Sequence, residues 1–444
     1  MVIAKDVCAY ILQVPLSKFP PVVIALIPNK SKDTADNISI LHKKLIQEIA
    51  SRLQLHILSI GSDGAIVEFQ AQEKILTIQT PEQLSIHDNS LNIHFSCPIF
   101  NNVGPIICVQ DPKHAKKTAR NALMSGARLL TFGNLSAQYS HFLNLIGRHD
   151  SIMYKNNVIK LDRQDDAAAY RTFCSSNLKQ CLTMDYKIQP EMDGFFIYLF
   201  VVGEIVDSYL NRNITPIERI RMAMTGFFFL HLWQFHIKML TQRYPDFITI
   251  NQNFLADQTF SILTSLCQSM VLLVKAHREY YSQIPLIPWM HGTEPCEHFF
   301  GVARQINPDF SFAEIIQMLP KISQYTKALR NKKLNFEKGK SVREDELSMQ
   351  KLRLWPSDKQ ISQTFRHSQH LARELAEFLG MIQPSTLLIN NNTPTIFIDI
   401  NDEENLHDND ESELSDDCEI DLSTAINKAS SKIQKINEQF RRKP

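Results

Sequence analysis

The sequence predicts an α/β chain interrupted by a large all-α block and followed by a helical C-terminal region and a disordered acidic tail. Three observations lead there. Between residues 7 and 124, short β-branched runs alternate with segments of helical spacing, the pattern of an α/β layer structure. From about residue 151 to 284 the periodicity turns helical and no strand pattern appears. Residues 401–421 are strongly acidic and too poor in aromatics to bury a core of their own.

Val7–Leu16 and Val22–Ile27 are β-branched, proline-bounded runs and predict two adjacent strands. Asp36–Leu53 carries apolar residues at 38, 41, 45, 46, 49 and 53, the spacing of a helix. Leu55–Gly61 predicts a third strand that ends in Ser62-Asp63-Gly64, and Ala65–Ile78 another helix. Ile106–Val109 predicts a short buried strand ending at Gln110-Asp111, and Pro112–Met124 a helix with Asp111 as its cap and Pro112 in its first turn. Pro216–Leu240 and Asn253–Tyr281 read as long buried helices, with Phe227–Phe229 and Trp233 as core. Phe312–Leu329 and Asp358–Gly380 predict two further helices, separated by a basic linker over Leu329–Arg343. Ser423–Phe440 has the spacing of a short amphipathic helix. The expected units are 1–150, 151–290, 291–385 and 386–444.

Lysine plus arginine equals aspartate plus glutamate at 47 each, so net charge by itself points to no nucleic-acid partner. The charge is nevertheless segregated, basic over Lys321–Arg353 and acidic over Asp402–Asp421. The eight cysteines form no CxxC pair, which excludes a zinc ribbon and fits reduced thiols in the nucleus or cytoplasm. Lys5 and Asp6 break the N-terminal apolar run, so it does not read as a signal peptide, and no membrane association is expected.

Three stretches carry chemistry. Asp63 follows a strand, where α/β sheets place ligands, although Ser-Asp-Gly is also good turn chemistry. In DPKHAKKTARN (111–121), Lys113, Lys116, Lys117 and Arg120 form a basic helix, either solvated or a phosphate contact. In TEPCEHFFGVAR (293–304), the Thr293 hydroxyl is placed to cap a helix. Glu297 sits one turn in, with Phe300, Gly301 and Arg304 along the same side.

In this order, with a helical block between the second and third, the three stretches resemble the core of the P-element/THAP-type (hAT-related) DDE transposases, over roughly residues 7–329. The resemblance implies an RNase H-like mixed sheet interrupted by a helical insertion. It implies that Asp63 and Glu297 are catalytic metal ligands for Mg²⁺ or Mn²⁺, the pair of ions lying about 3.5–4 Å apart in phosphodiester chemistry. Asp111, Pro112, His114, Lys117, Arg120 and Asn121 match the DPxHxxKxxRN segment beside such a site, in a nucleic-acid-contacting or site-organising role, and Arg304 would brace Glu297. DNA is the implied partner; oligomerisation and a protein partner for the acidic tail are further expectations. Only two strands precede Asp36, so the first strand of that sheet, with its aspartate, is expected to be missing. The chain then reads as a truncated, catalytically impaired transposase derivative. The alternatives are a non-catalytic, domesticated DNA- or protein-binding scaffold, or a nuclease in which Asp111 serves as third ligand.

Overall fold

The computed structural model describes residues 6–384, apart from 15–18, 30–32, 150, 160–161, 186 and 331–349. Most of the expected basic linker, the helix over Ser423–Phe440 and the acidic tail over 386–444 lie outside the described residues.

β1 (Asp6–Leu12) and β2 (Val22–Asn29) pair antiparallel from Asp6↔Asn29 to Leu12↔Val22, with a bulge between Tyr10 and Ile11. Ala9, Ile11, Val23 and Leu26 pack against Phe299, Val302, Ala303, Ile315 and Ile322, which belong to the later helices α11 (Glu294–Ile306) and α12 (Phe312–Arg330). α1 (Ala35–Lys43) starts at Thr34, whose hydroxyl accepts from the Asn37 N–H, and continues as a wider π turn over Lys44–Ala50.

β3 (Ser59–Ser62) runs parallel to β7 (Ile107–Gln110), from Ser59↔Ile107 to Ser62↔Gln110. Parallel neighbours need a long crossover. It is built from α2 (Ile66–Leu76), the hairpin β4 (Gln83–Asp88)–β5 (Ile93–Phe100) and the short β6 (Gly104–Pro105). The hairpin was not among the expected elements, although its signal is a period of two: Leu84, Ile86, Ile93, Phe95 and Cys97 point into the core and polar residues alternate with them. The sheet expected of these strands was an incomplete one, with a gap or unpaired edges in place of its central first strand. Among the described residues they form separate sheets of two or three strands, and no described strand pairs with both β1 and β3.

After β7 the chain is mostly helical: α3 (Pro112–Met124), α4 (Tyr139–Ile146), α5 (Asp166–Phe173), α6 (Ser175–Gln180), α7 (Asp193–Leu210), α8 (Pro216–Arg243), α9 (Ile250–Asn253) and α10 (Asp257–Tyr280). A small hairpin, β8 (Leu130–Phe132) and β9 (Leu135–Ala137), interrupts it early. Trp233 of α8 is wholly buried; its Nε1–H donates to the Thr131 carbonyl at 2.7 Å and its ring stacks on Phe132. The helices rest directly on the α/β layer, because Ser269 donates to the Cys108 carbonyl (2.6 Å) and Tyr198 to that of Ala119 (2.8 Å). α13 (Asp358–Phe378) returns along α8, its small residues Ser368, Ala372 and Ala376 buried and the Ser368 hydroxyl donating to the Arg221 carbonyl. One buried cluster therefore runs from Leu84 through α7, α8 and α10 to Met381. α10 is long and apolar enough to cross a membrane, but 83% of its most apolar window is buried inside the fold.

Burial sets the pH response of this core. It pushes His42, His231, His236 and His277 down to about 4 and His291 to about 3. The ordinary value is about 6.5, so on acidification the unfolded chain takes up protons that the folded chain refuses. The histidine contribution to stability is full above about pH 6.5 and is lost as pH falls toward 4. Burial raises Glu68 and Glu73 to about 7, which has the opposite sign: the folded chain keeps protons there that the unfolded chain releases, so stability is lost as pH rises from about 4.5 to 7. Thermal melts should show a falling midpoint from pH 6.5 to 4.5. Glu68→Gln should stabilise the protein by about 1–2 kcal/mol at pH 8 and hardly at all at pH 5.

Candidate functional site

The site is built around Asp111, which ends β7 and caps α3 and is 2% exposed. Its N–H donates to the Ser62 carbonyl at 2.7 Å, so the ends of β3 and β7, with Asp63 and Asp111 just beyond them, stay side by side. Its Oδ1 accepts the N–H groups of Lys113 (2.7 Å) and His114 (3.2 Å), as the sequence leads one to expect of a cap. Its Oδ2 does something the sequence does not reveal. It accepts both the backbone N–H and the hydroxyl of Thr293, each at 2.7 Å. The Thr293 hydroxyl was expected to cap its own helix; it makes no such bond, its backbone (φ −86°, ψ 3°) being outside the extended conformation in which a cap oxygen reaches the first-turn N–H groups.

Close packing fixes this junction. A Cβ on Gly292 would lie 2.7 Å from Asp111 Oδ2, and one on Gly61 would lie 2.5 Å from the His291 carbonyl oxygen. The His291 ring pairs with the Ser59 hydroxyl (Nδ1···Oγ 2.7 Å). Residues 291–293 are thereby seated against β3 and Asp111, and they launch α11 with Glu297 one turn in. Glu297 is exposed, and its carboxyl is raised by partial desolvation and then by Asp111, with Lys113 and Lys117 acting in the opposite sense. Asp63 is exposed and its Oδ1 accepts the Ala65 N–H (3.1 Å), which is the turn geometry of Ser-Asp-Gly. Burial raises the Cys296 thiol to about 11, with Cys8, Asp63 and Glu297 adding in the same sense.

The cations of α3 are paired or packed within the chain. Lys113 Nζ pairs with Glu294 Oε2 (3.3 Å), which ties α3 to α11, and Lys117 Nζ pairs with Asp166 Oδ1 (3.1 Å) at the start of α5. Lys116 is buried over the Tyr170 ring. Arg120, for which a nucleic-acid-contacting or site-organising role was expected, is wholly buried and donates to the carbonyls of Asp162 and Asp165. Asn121 reaches the Arg163 carbonyl at 3.4 Å, and His114 is half-buried. Arg304 is exposed two turns after Glu297 and makes no ion pair with it among the described residues.

A second set of polar residues was not singled out from the sequence. The Ser62 hydroxyl donates to Gln110 Oε1 (3.1 Å), Gln110 Nε2 to Gln72 Oε1 (2.8 Å), and Gln72 Nε2 to Glu68 Oε1 (3.3 Å). Glu68 Oε1 lies 3.2 Å from Nε2 of the buried His42. This chain of bonds begins on the residues that precede Asp63 and Asp111 and crosses to α1. Glutamines in an otherwise apolar strand and on a helix are its only trace in the sequence.

Carboxylate oxygens are the donors a hard divalent cation prefers. Here Asp111 has both oxygens engaged, and no group of three or more His, Cys, Asp or Glu among the described residues could hold a metal ion. The donor set does not fit a two-metal centre.

Asp111→Ala removes four hydrogen bonds to a buried carboxylate and should cost about 3 kcal/mol or more in chemical denaturation. Gly292→Ala should destabilise the same junction, whereas Gly301→Ala, whose added Cβ meets nothing within 4 Å, should be neutral or stabilising.

No protein-family profile matches the chain, and no curated protein does. A solved structure, the Drosophila P element transposase strand transfer complex, is similar at 14% sequence identity with a TM-score of 0.45, over 69% of this chain and 66% of that one. This chain thus spans just under two thirds of the length of the chain it resembles.

Proposed function

We propose that this chain is a transposase-derived protein in which the strand-end architecture of an RNase H-like recombinase core is kept and metal-dependent DNA cleavage is impaired. One observation carries the reading: Asp111 ties the ends of β3 and β7 to the first turn of α11, so the three stretches that resemble a DDE transposase, far apart in sequence, meet at one place. The proposed roles are unequal. Asp63 and Glu297 are the exposed carboxylates of the site, with Mg²⁺ or Mn²⁺ as the ion they would attract. Asp111, Arg120 and Asn121 are organising residues, because each makes hydrogen bonds to backbone groups of other segments. Impairment is proposed because two carboxylates do not supply the ligands that a pair of metal ions needs.

A binding scaffold is the second reading, and the internal pairing of the α3 cations favours it over phosphate contact through that helix. Arg304 then remains as the exposed cation of the motif, and DNA is still the proposed partner.

Nicking of supercoiled DNA by the purified chain with Mg²⁺ or Mn²⁺, beside Asp63→Ala and Glu297→Ala, tests the proposal. The expected result is no cleavage above that of the two variants. Cleavage abolished by both substitutions would overturn the proposed impairment and establish a working site. For the scaffold reading, DNA affinity should fall with added salt and be weakened by Arg304→Ala, with Arg304→Lys retaining more of it.

A further inference from the structure

The β4–β5 hairpin carries an arrangement that belongs to none of the motifs above. The Ile99 N–H donates to the Glu82 carbonyl at 3.2 Å, which makes 82/99 a hydrogen-bonded position of the ladder. Counting along the register, 84/97, 86/95 and 88/93 are hydrogen-bonded too, and His87↔His94 falls at a non-hydrogen-bonded position. Pro98, which has no N–H, sits opposite Gln83 in the same phase. At non-hydrogen-bonded positions the backbones approach most closely, and so do the facing side chains. The two imidazole rings accordingly lie 4.1 Å apart between centroids, at 54° to one another.

Both histidines are exposed. On the same face the next cross-strand pair is Ser85↔Ser96, and the Ser85 hydroxyl lies 3.0 Å from His87 Nε2. The other face is locked into the core by Leu84, Ile86, Phe95 and Cys97, and Phe95 meets Phe227 and Phe365 edge to face. The hairpin is therefore a rigid platform, and little conformational freedom remains to be lost when both rings engage one ligand.

Neutral imidazole is the preferred nitrogen donor for borderline divalent transition ions and a poor one for Mg²⁺ or Ca²⁺. We propose that His87 and His94 form a two-imidazole site for a divalent transition-metal ion, Zn²⁺ or Cu²⁺, on the exposed face of the β4–β5 hairpin. Water completes the coordination shell. The proposal stands whether or not the carboxylate site has any activity.

The test is titration of the full chain with Cu²⁺ and with Zn²⁺, read by calorimetry and, for Cu²⁺, by electron paramagnetic resonance. The chain holds 15 histidines, so the site is isolated by substitution. His87→Ala and His94→Ala should each weaken binding of the same single equivalent by about tenfold or more, and the double substitution should remove no further equivalent. His87→Phe keeps a ring beside His94 and should retain the melting temperature while weakening the metal as His87→Ala does. The Cu²⁺ spectrum should show two coordinated nitrogens in the parent chain and one in either single variant. Unchanged stoichiometry and affinity in the variants, or losses that add in the double variant, would overturn the proposal.

Discussion

The architecture depends on one buried carboxylate. Asp111 is almost inaccessible to water, and a charge in that position is tolerable only if hydrogen bonds replace its hydration. Four donors do so, from two places far apart in the chain: the first turn of α3 and Thr293. Satisfying the charge is the same event as fastening α11 to the strand ends. Glycine at 292 follows from this, since any side chain there would occupy the space of the carboxylate oxygen.

The same economy governs the rest of the site. A basic helix reads in sequence as a surface for anions, but charge in sequence is not charge on the surface. Lys113 and Lys117 meet carboxylates from α11 and α5, and Arg120 satisfies carbonyls of the segment leading into α5. α3 thus acts as a spindle between the α/β layer and the helices that follow. The Ser62–Gln110–Gln72–Glu68–His42 series extends the polar wiring to α1, and its Glu68 end is raised to about 7 by burial.

Particular elements show why parts of this were legible from sequence. Pro112–Met124 was placed to the residue, because Asp and Pro at its start are local signals that act through the helix's own first turn. α8 and α10 were found because their apolar content exceeds what any loop could hold. The β4–β5 and β8–β9 hairpins were missed. The strands of the second hairpin have three residues each, too few to show a period, and in the first the alternation of β5 breaks at Cys97-Pro98, which are both buried. The sheet was expected from resemblance to lack its first strand, and how the remaining strands group was not legible, since strand pairing is a long-range contact that no local spacing fixes.

The sequence by itself determined the helices, the caps, the burial of the aromatic block and the three stretches in which Asp63, Asp111 and Glu297 lie. These are matters of nearest-neighbour chemistry and of periodicity, which a single strand of text contains. The tertiary structure alone decided what each polar group does: that Thr293 turns to Asp111 rather than to its own helix, that Arg120 is interior, and that His87 faces His94. The reason is physical. A hydrogen bond or ion pair takes the strongest partner within about 3 Å, and which partner lies that close is set by packing between residues tens to hundreds of positions apart.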